Sequence, residues 1–98
     1  MLLRSTERKA QRVALLSGVL SNPTRVLIIF FLQERGGAYV QEIVGELEMS
    51  QSAISHQLHL LTVEDVVSSR REGRDVWYTL TKKAPARKVI AALRALRK

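Results

Sequence analysis

Tyr39-Val40-Gln41-Glu42-Ile43-Val44-Gly45-Glu46-Leu47, then Glu48-Met49-Ser50, then Gln51-Ser52-Ala53-Ile54-Ser55-His56-Gln57-Leu58-His59-Leu60-Leu61-Thr62-Val63-Glu64, is the stretch that decides the fold. In its first part Val40, Ile43, Val44 and Leu47 recur at helical spacing, with Gln41, Glu42 and Glu46 off that face. Ser50 suits the cap of a second helix, because its hydroxyl can accept from a free amide of the first turn. Two helices joined by so short a link form a helix-turn-helix, expected at about residues 39–64. In the second helix Ile54, Leu58 and Leu61 form the stripe to be buried. Ser52, Ser55, His56 and His59 share the opposite face. A helix face that is merely solvated usually carries Lys and Glu, which are better helix formers than Ser or His. A Ser/His face can instead exchange hydrogen bonds with base edges and phosphates at short range. Gln51 adds an amide suited to adenine, beside a helix N-terminus that favours phosphate.

Working outward, the period changes after Asp65. Val66-Val67-Ser68-Ser69-Arg70 reads as a strand, Arg71-Glu72-Gly73-Arg74 as a turn, and Asp75-Val76-Trp77-Tyr78-Thr79-Leu80 as the returning strand. This hairpin, about residues 66–80, carries Arg70, Arg71 and Arg74, which can reach a phosphate backbone or an adjacent minor groove. Glu72 and Asp75 partly neutralise them. Upstream, Asn22-Pro23 is a strong helix start, and the helix runs through Val26–Leu32, buried nearly all round, to stop at Gly36-Gly37. A first helix at about 5–20 carries Ala10, Val13, Leu16 and Leu20 on one stripe. Pro85 opens a last helix, about 85–97, with Val89, Ile90, Leu93 and Leu96 aligned and Arg87, Arg94 and Lys98 opposite. The predicted class is mainly α with a β-hairpin, in one domain spanning 1–98.

Composition narrows the function. The 98 residues carry a formal charge of +7, include no cysteine, and are 46% hydrophobic. That apolar fraction is too high for disorder, and the missing cysteine excludes disulfides, thiolate metal sites and thiol switches. No Gly-rich phosphate loop and no nucleophile–base–acid set is present, so the chain is not expected to be an enzyme. The longest apolar run, Val26–Leu32, is far short of a membrane span, and Met1-Leu2-Leu3 meets charge at once. A cytoplasmic protein with no membrane partner is therefore expected. The charge is unevenly placed: residues 82–98 hold seven basic side chains and no acidic one, whereas residues 25–75 sum to −3. The surplus belongs to the ends and not to the reading head. A chain this short buries only about 60–70% of its unfolded surface alone, which favours an oligomer.

Leu20-Ser21-Asn22-Pro23-Thr24-Arg25, Ser50–Leu58, and Arg70–Arg74 with Val76–Leu80 closely resemble the ArsR/SmtB family of winged helix-turn-helix transcriptional repressors, over about residues 13–80. The resemblance implies a homodimer built from the first and last helices, through Val13, Leu16, Leu20, Val89, Ile90, Leu93 and Leu96. It implies double-stranded DNA as partner, with two reading helices in successive major grooves of a palindromic operator. Gln51, Ser52, Ser55, His56 and His59 would read or hold the groove, and Arg70, Arg71 and Arg74 would clamp its flank. Many relatives sense metals through two cysteines at the positions here held by Tyr39 and Gln41, and others through Asp, His and Glu on the last helix, of which this one has none. No metal and no cofactor is expected; His56 and His59 alone supply too few ligands. Regulation through expression level, a small-molecule effector or a protein partner stays open. Asp65 stands where relatives usually have Gly, and Tyr39 where Ser commonly caps. The competing expectation is a winged-helix module that docks a protein instead of DNA.

Overall fold

The computed structural model describes residues 4–97. Its elements are α1 (Arg4–Leu20), α2 (Pro23–Arg35), β1 (Ala38–Tyr39), α3 (Val40–Leu47), α4 (Gln51–Val63), β2 (Val67–Glu72), β3 (Asp75–Leu80) and α5 (Ala86–Arg97). Local chemistry sets most of these limits. Asn22 Oδ1 accepts from the amides of Thr24 (2.9 Å) and Arg25 (3.4 Å), with Pro23 at the first helical position. Gly36 ends α2 in the left-handed conformation (φ 78°), its amide donating to Leu32 O at 2.8 Å. Ser50 Oγ accepts from the Ala53 amide at 3.2 Å and opens α4. Asp65 takes φ 59°, the left-handed turn that Asp tolerates, and Glu48 does the same at the end of α3 with φ 55°.

The sheet is antiparallel in the order β1-β3-β2. β1 is an addition to the predicted hairpin: two residues are too few to show alternation, yet Ala38 pairs with Tyr78 and Tyr39 with Trp77. Gly37 makes this possible, because at φ 154° its backbone passes against the Trp77 ring where a Cβ would lie 2.6 Å from Cε2. β2 also runs two residues further than expected. Glu72 pairs with Asp75, so the turn is only Gly73-Arg74, with Gly73 at φ 64°.

Ile28, Ile29, Leu32, Ile43, Ile54, Leu58, Leu61, Val66 and Val67 form the fully buried centre of the core. α2 threads it but is not buried nearly all round: Ile28, Ile29 and Leu32 are buried and Phe31 packs partly buried against the core, while Leu27 is 51% exposed. α5 docks on α2 through Ala86 and Ile90, with Gln33 Nε2 donating to Ile90 O at 2.8 Å and Arg97 Nη1 bonded to Glu34 at 2.7 Å. Pro85 lies just before α5 rather than in it, its carbonyl accepting from the Lys88 amide at 3.0 Å. Lys98 lies outside the described residues. α1 leaves this body at a steep angle, Thr6–Gly18 meeting Pro23–Arg35 at 96°. Every residue from Thr6 to Leu15 is exposed and, among the described side chains of α1, Leu16 alone is buried, so Ala10 and Val13 do not share its burial. No single helix among the described residues is long and apolar enough to cross a membrane.

Candidate nucleic-acid interface

α4 is held from beneath and left open above. Ile54, Leu58 and Leu61 have no exposed surface, which fixes the rotation of the helix about its axis. Gln51, Ser52, Ser55, His56 and His59 are consequently all exposed. Ser52, Ser55, His56 and His59 follow the spacing i, i+3, i+4, i+7 and so form one continuous stripe. On the flank Arg25 Nε donates to Gln57 Oε1 at 2.7 Å, tying α4 to α2 across 32 residues of sequence.

Two of the reading side chains are engaged locally. Ser52 Oγ lies 3.3 Å from the capping Ser50 Oγ. Gln51 Oε1 accepts from Gln41 Nε2 at 2.7 Å, a bond from the start of α3 to the start of α4 that sequence reasoning missed. Its only trace in the sequence is two amide side chains at the facing ends of two short helices.

The three wing arginines are not equivalent. Arg71 and Arg74 are exposed, Arg74 in the turn and Arg71 opposite Val76. Arg70, paired with Trp77, lies two residues before Glu72 on the same face of β2, and its Nε donates to Glu72 Oε2 at 2.8 Å within an ion pair. The other carboxylate oxygen of Glu72 accepts from the Tyr39 hydroxyl at 2.6 Å. Tyr39 also meets Trp77 edge-on, centroids 4.8 Å apart at 70°, and its amide donates to Glu42 Oε1 at 2.9 Å. The hydrogen bond from the phenol, the largest single cause, and Arg70 through its hydrogen bond and its charge together hold the Glu72 carboxyl below its ordinary pKa. The same bond raises the Tyr39 pKa. Sequence reasoning missed Tyr39 and Glu72 as partners, since they are 33 residues apart.

The side chains expected at a dimer interface fall into three groups. Leu16 and Ile90 are spent on the protomer core, 2% and 6% exposed, while Leu20, Val89 and Leu93 pack at its edge. Val13 (48%), Leu15 (59%) and Leu96 (77%) are open. Leu15 was not expected there. Among the described residues, no three of His, Asp and Glu come together as a metal site.

Comparison with known proteins bears on the family and the fold. The family described as "Bacterial regulatory protein, arsR family" matches residues 22–69. The biofilm growth-associated repressor of Agrobacterium fabrum is 33% identical over 94 residues, covering 96% of this chain and 79% of that protein. The transcriptional activator HlyU of Vibrio cholerae is 32% identical over 81 residues, covering 83% of this chain and 74% of that protein. The structure of reduced HlyU superposes with a TM-score of 0.82 at 30% identity, over 96% of this chain and 97% of that one.

Proposed function

The chain belongs to the arsR family of bacterial regulatory proteins and is a DNA-binding transcriptional regulator with a winged helix-turn-helix fold, not an enzyme, and from that premise we propose that it is a homodimeric repressor of a palindromic operator. The carrying observation is the exposed Ser52–Ser55–His56–His59 stripe, which bears no Lys or Glu and stands on a fully buried Ile54–Leu58–Leu61 base. That stripe and Gln51 read the major groove or hold its phosphates. Arg74 and Arg71 clamp the flanking backbone, with Arg70 contributing less because Glu72 already neutralises it.

The dimer is supported by α1. A helix whose residues 6–15 are all exposed has little to stabilise it within its own protomer, since helices depend on tertiary packing more than on propensity. A second copy, covering Val13, Leu15 and Leu96, supplies that packing and places two reading helices about 34 Å apart. Leu20, Val89 and Leu93, partly buried against the protomer core, complete the proposed interface. The reading includes no metal response, since Tyr39 and Gln41 are committed to Glu72 and Gln51. The setting in which such a regulator acts is the cytoplasm.

The experiment is a binding titration on a palindromic operator, recovered by selection from random duplexes, against scrambled DNA, with and without zinc, alongside the mass in dilute solution. Tight salt-dependent binding to the palindrome, unchanged by zinc, by a species of twice the chain mass is expected. Equal affinity for both duplexes defeats the specific reader. Binding to no duplex at low salt favours instead a protein-docking module, the reading that the −3 charge of residues 25–75 suggests.

A further inference from the structure

Glutamine is an ambivalent reader. Its amide presents a donor and an acceptor, and rotation by a half turn exchanges them. A free Gln therefore suits adenine, whose N7 accepts and whose N6 amino group donates. Gln51 is not free, because its Oε1 already accepts from Gln41 Nε2 at 2.7 Å. In this bond the Gln51 carbonyl faces α3 and its amino group faces away; a free Gln51 turns alone, whereas the bonded one reverses only if both amides turn together. Both side chains are exposed, so in solvent water competes for this bond. Once a groove excludes that water the bond strengthens, and the two amides are held together at the moment of reading.

Resting on the reading of α4 as the groove-facing helix, we propose that Gln41 is a positioning residue that makes Gln51 a hydrogen-bond donor to base-edge acceptors. Gln41 itself need touch no base. The major-groove edge offering two neighbouring acceptors, N7 and O6, is that of guanine. Gln51 thus selects guanine at one base pair of each half-site, where an unbraced glutamine selects adenine.

The test is selection of bound duplexes from a random library by the full chain and by Gln51→Ala, Gln41→Ala and Gln41→Glu. Gln51→Ala locates the base pair, as the one position whose preference flattens. At that position the unsubstituted protein prefers guanine over adenine by about tenfold, the scale of one good base contact. Gln41→Ala releases the carbonyl and brings guanine and adenine to within about twofold. Gln41→Glu keeps the shape but has no donor, so it attracts the Gln51 amino group, turns the amide round and shifts the preference to the amino-bearing bases adenine and cytosine. The charge of that variant weakens binding to every sequence alike, which a ratio of base preferences does not register. A purely structural role for Gln41 predicts lower affinity with an unchanged base profile. That result, or adenine preferred by the unsubstituted protein, or no position moved by Gln51→Ala, overturns the brace while leaving the DNA reader standing. Recovery of no consensus by the unsubstituted protein overturns both.

Discussion

The Tyr39 hydroxyl donates to the Glu72 carboxylate at 2.6 Å, so the residue just before the helix-turn-helix grips the last residue of the wing's first strand. Glu72 in turn holds Arg70. One carboxylate therefore fixes both where the wing stands relative to α3 and which of its arginines keeps its charge available.

Removing that hydroxyl has a titration signature. In Tyr39→Phe the Glu72 pKa rises towards its ordinary value, because its largest single cause is gone while Arg70 remains. A carboxyl whose folded-state pKa lies below its unfolded value stabilises the fold above the unfolded pKa, and loses that contribution as pH falls through the folded one. The normal protein thus loses it on acidification below about 4.5, and the variant has less to lose. The raised Tyr39 pKa works in the other direction, its contribution full below pH 10.0 and lost as pH climbs through the raised value. Carboxyl chemical shifts followed against pH measure the first effect; an unmoved Glu72 titration would refute it.

The wing arginines should separate in a salt titration. Arg74→Ala weakens binding to all duplexes and lowers the slope of log K against log salt by about 0.9 for each phosphate that is no longer neutralised. Arg70→Ala changes that slope less, since Glu72 already opposes its charge. Equal slopes for the two variants would contradict the pairing.

Gly37→Ala tests the close passage under Trp77. The new methyl meets Cε2 at 2.6 Å on a backbone at φ 154°, so overpacking and backbone strain act together. A loss of about 2–4 kcal/mol is expected, read from urea unfolding as a lowered midpoint. A change within about 0.5 kcal/mol, the scatter of ordinary surface substitutions, would mean that the strand β1 yields freely.

Glu48→Gly should do the opposite. Glu48 closes α3 at φ 55°, where an L-residue is disfavoured, and glycine there gains about 1 kcal/mol. Asp65→Gly, at φ 59°, gains less because Asp tolerates the conformation. Unfolding midpoints that fall for both would show that the side chains matter more than the backbone.

The dimer is addressed by Leu96→Glu, at a side chain 77% exposed in the protomer. The expected outcome is a monomer by sedimentation that stays folded and binds a palindrome no better than a half-site. An unaltered dimer would place the interface away from Leu96. Leu16→Glu is uninformative on this point, because Leu16 is 2% exposed and its replacement unfolds the protomer.

By itself the sequence determined the order of the helices and the hairpin, the caps at Asn22, Ser50 and Gly36 and the polar face of α4. Each is written within one turn of helix or one hairpin, where spacing and capping chemistry act directly. Tertiary structure decided what those groups are free to do. It paired Ala38-Tyr39 with β3, placed Leu16 and Ile90 in the core while leaving Leu15 and Leu96 open, and took Arg70 for Glu72. It also took the carbonyl of Gln51 for Gln41. Such pairings depend on where a distant element comes to rest, and two side chains meeting across ten or thirty-three residues leave no period in the chain. Hydrophobic spacing shows which face of a helix turns outward. Only packing shows which donors and acceptors on that face are already answered.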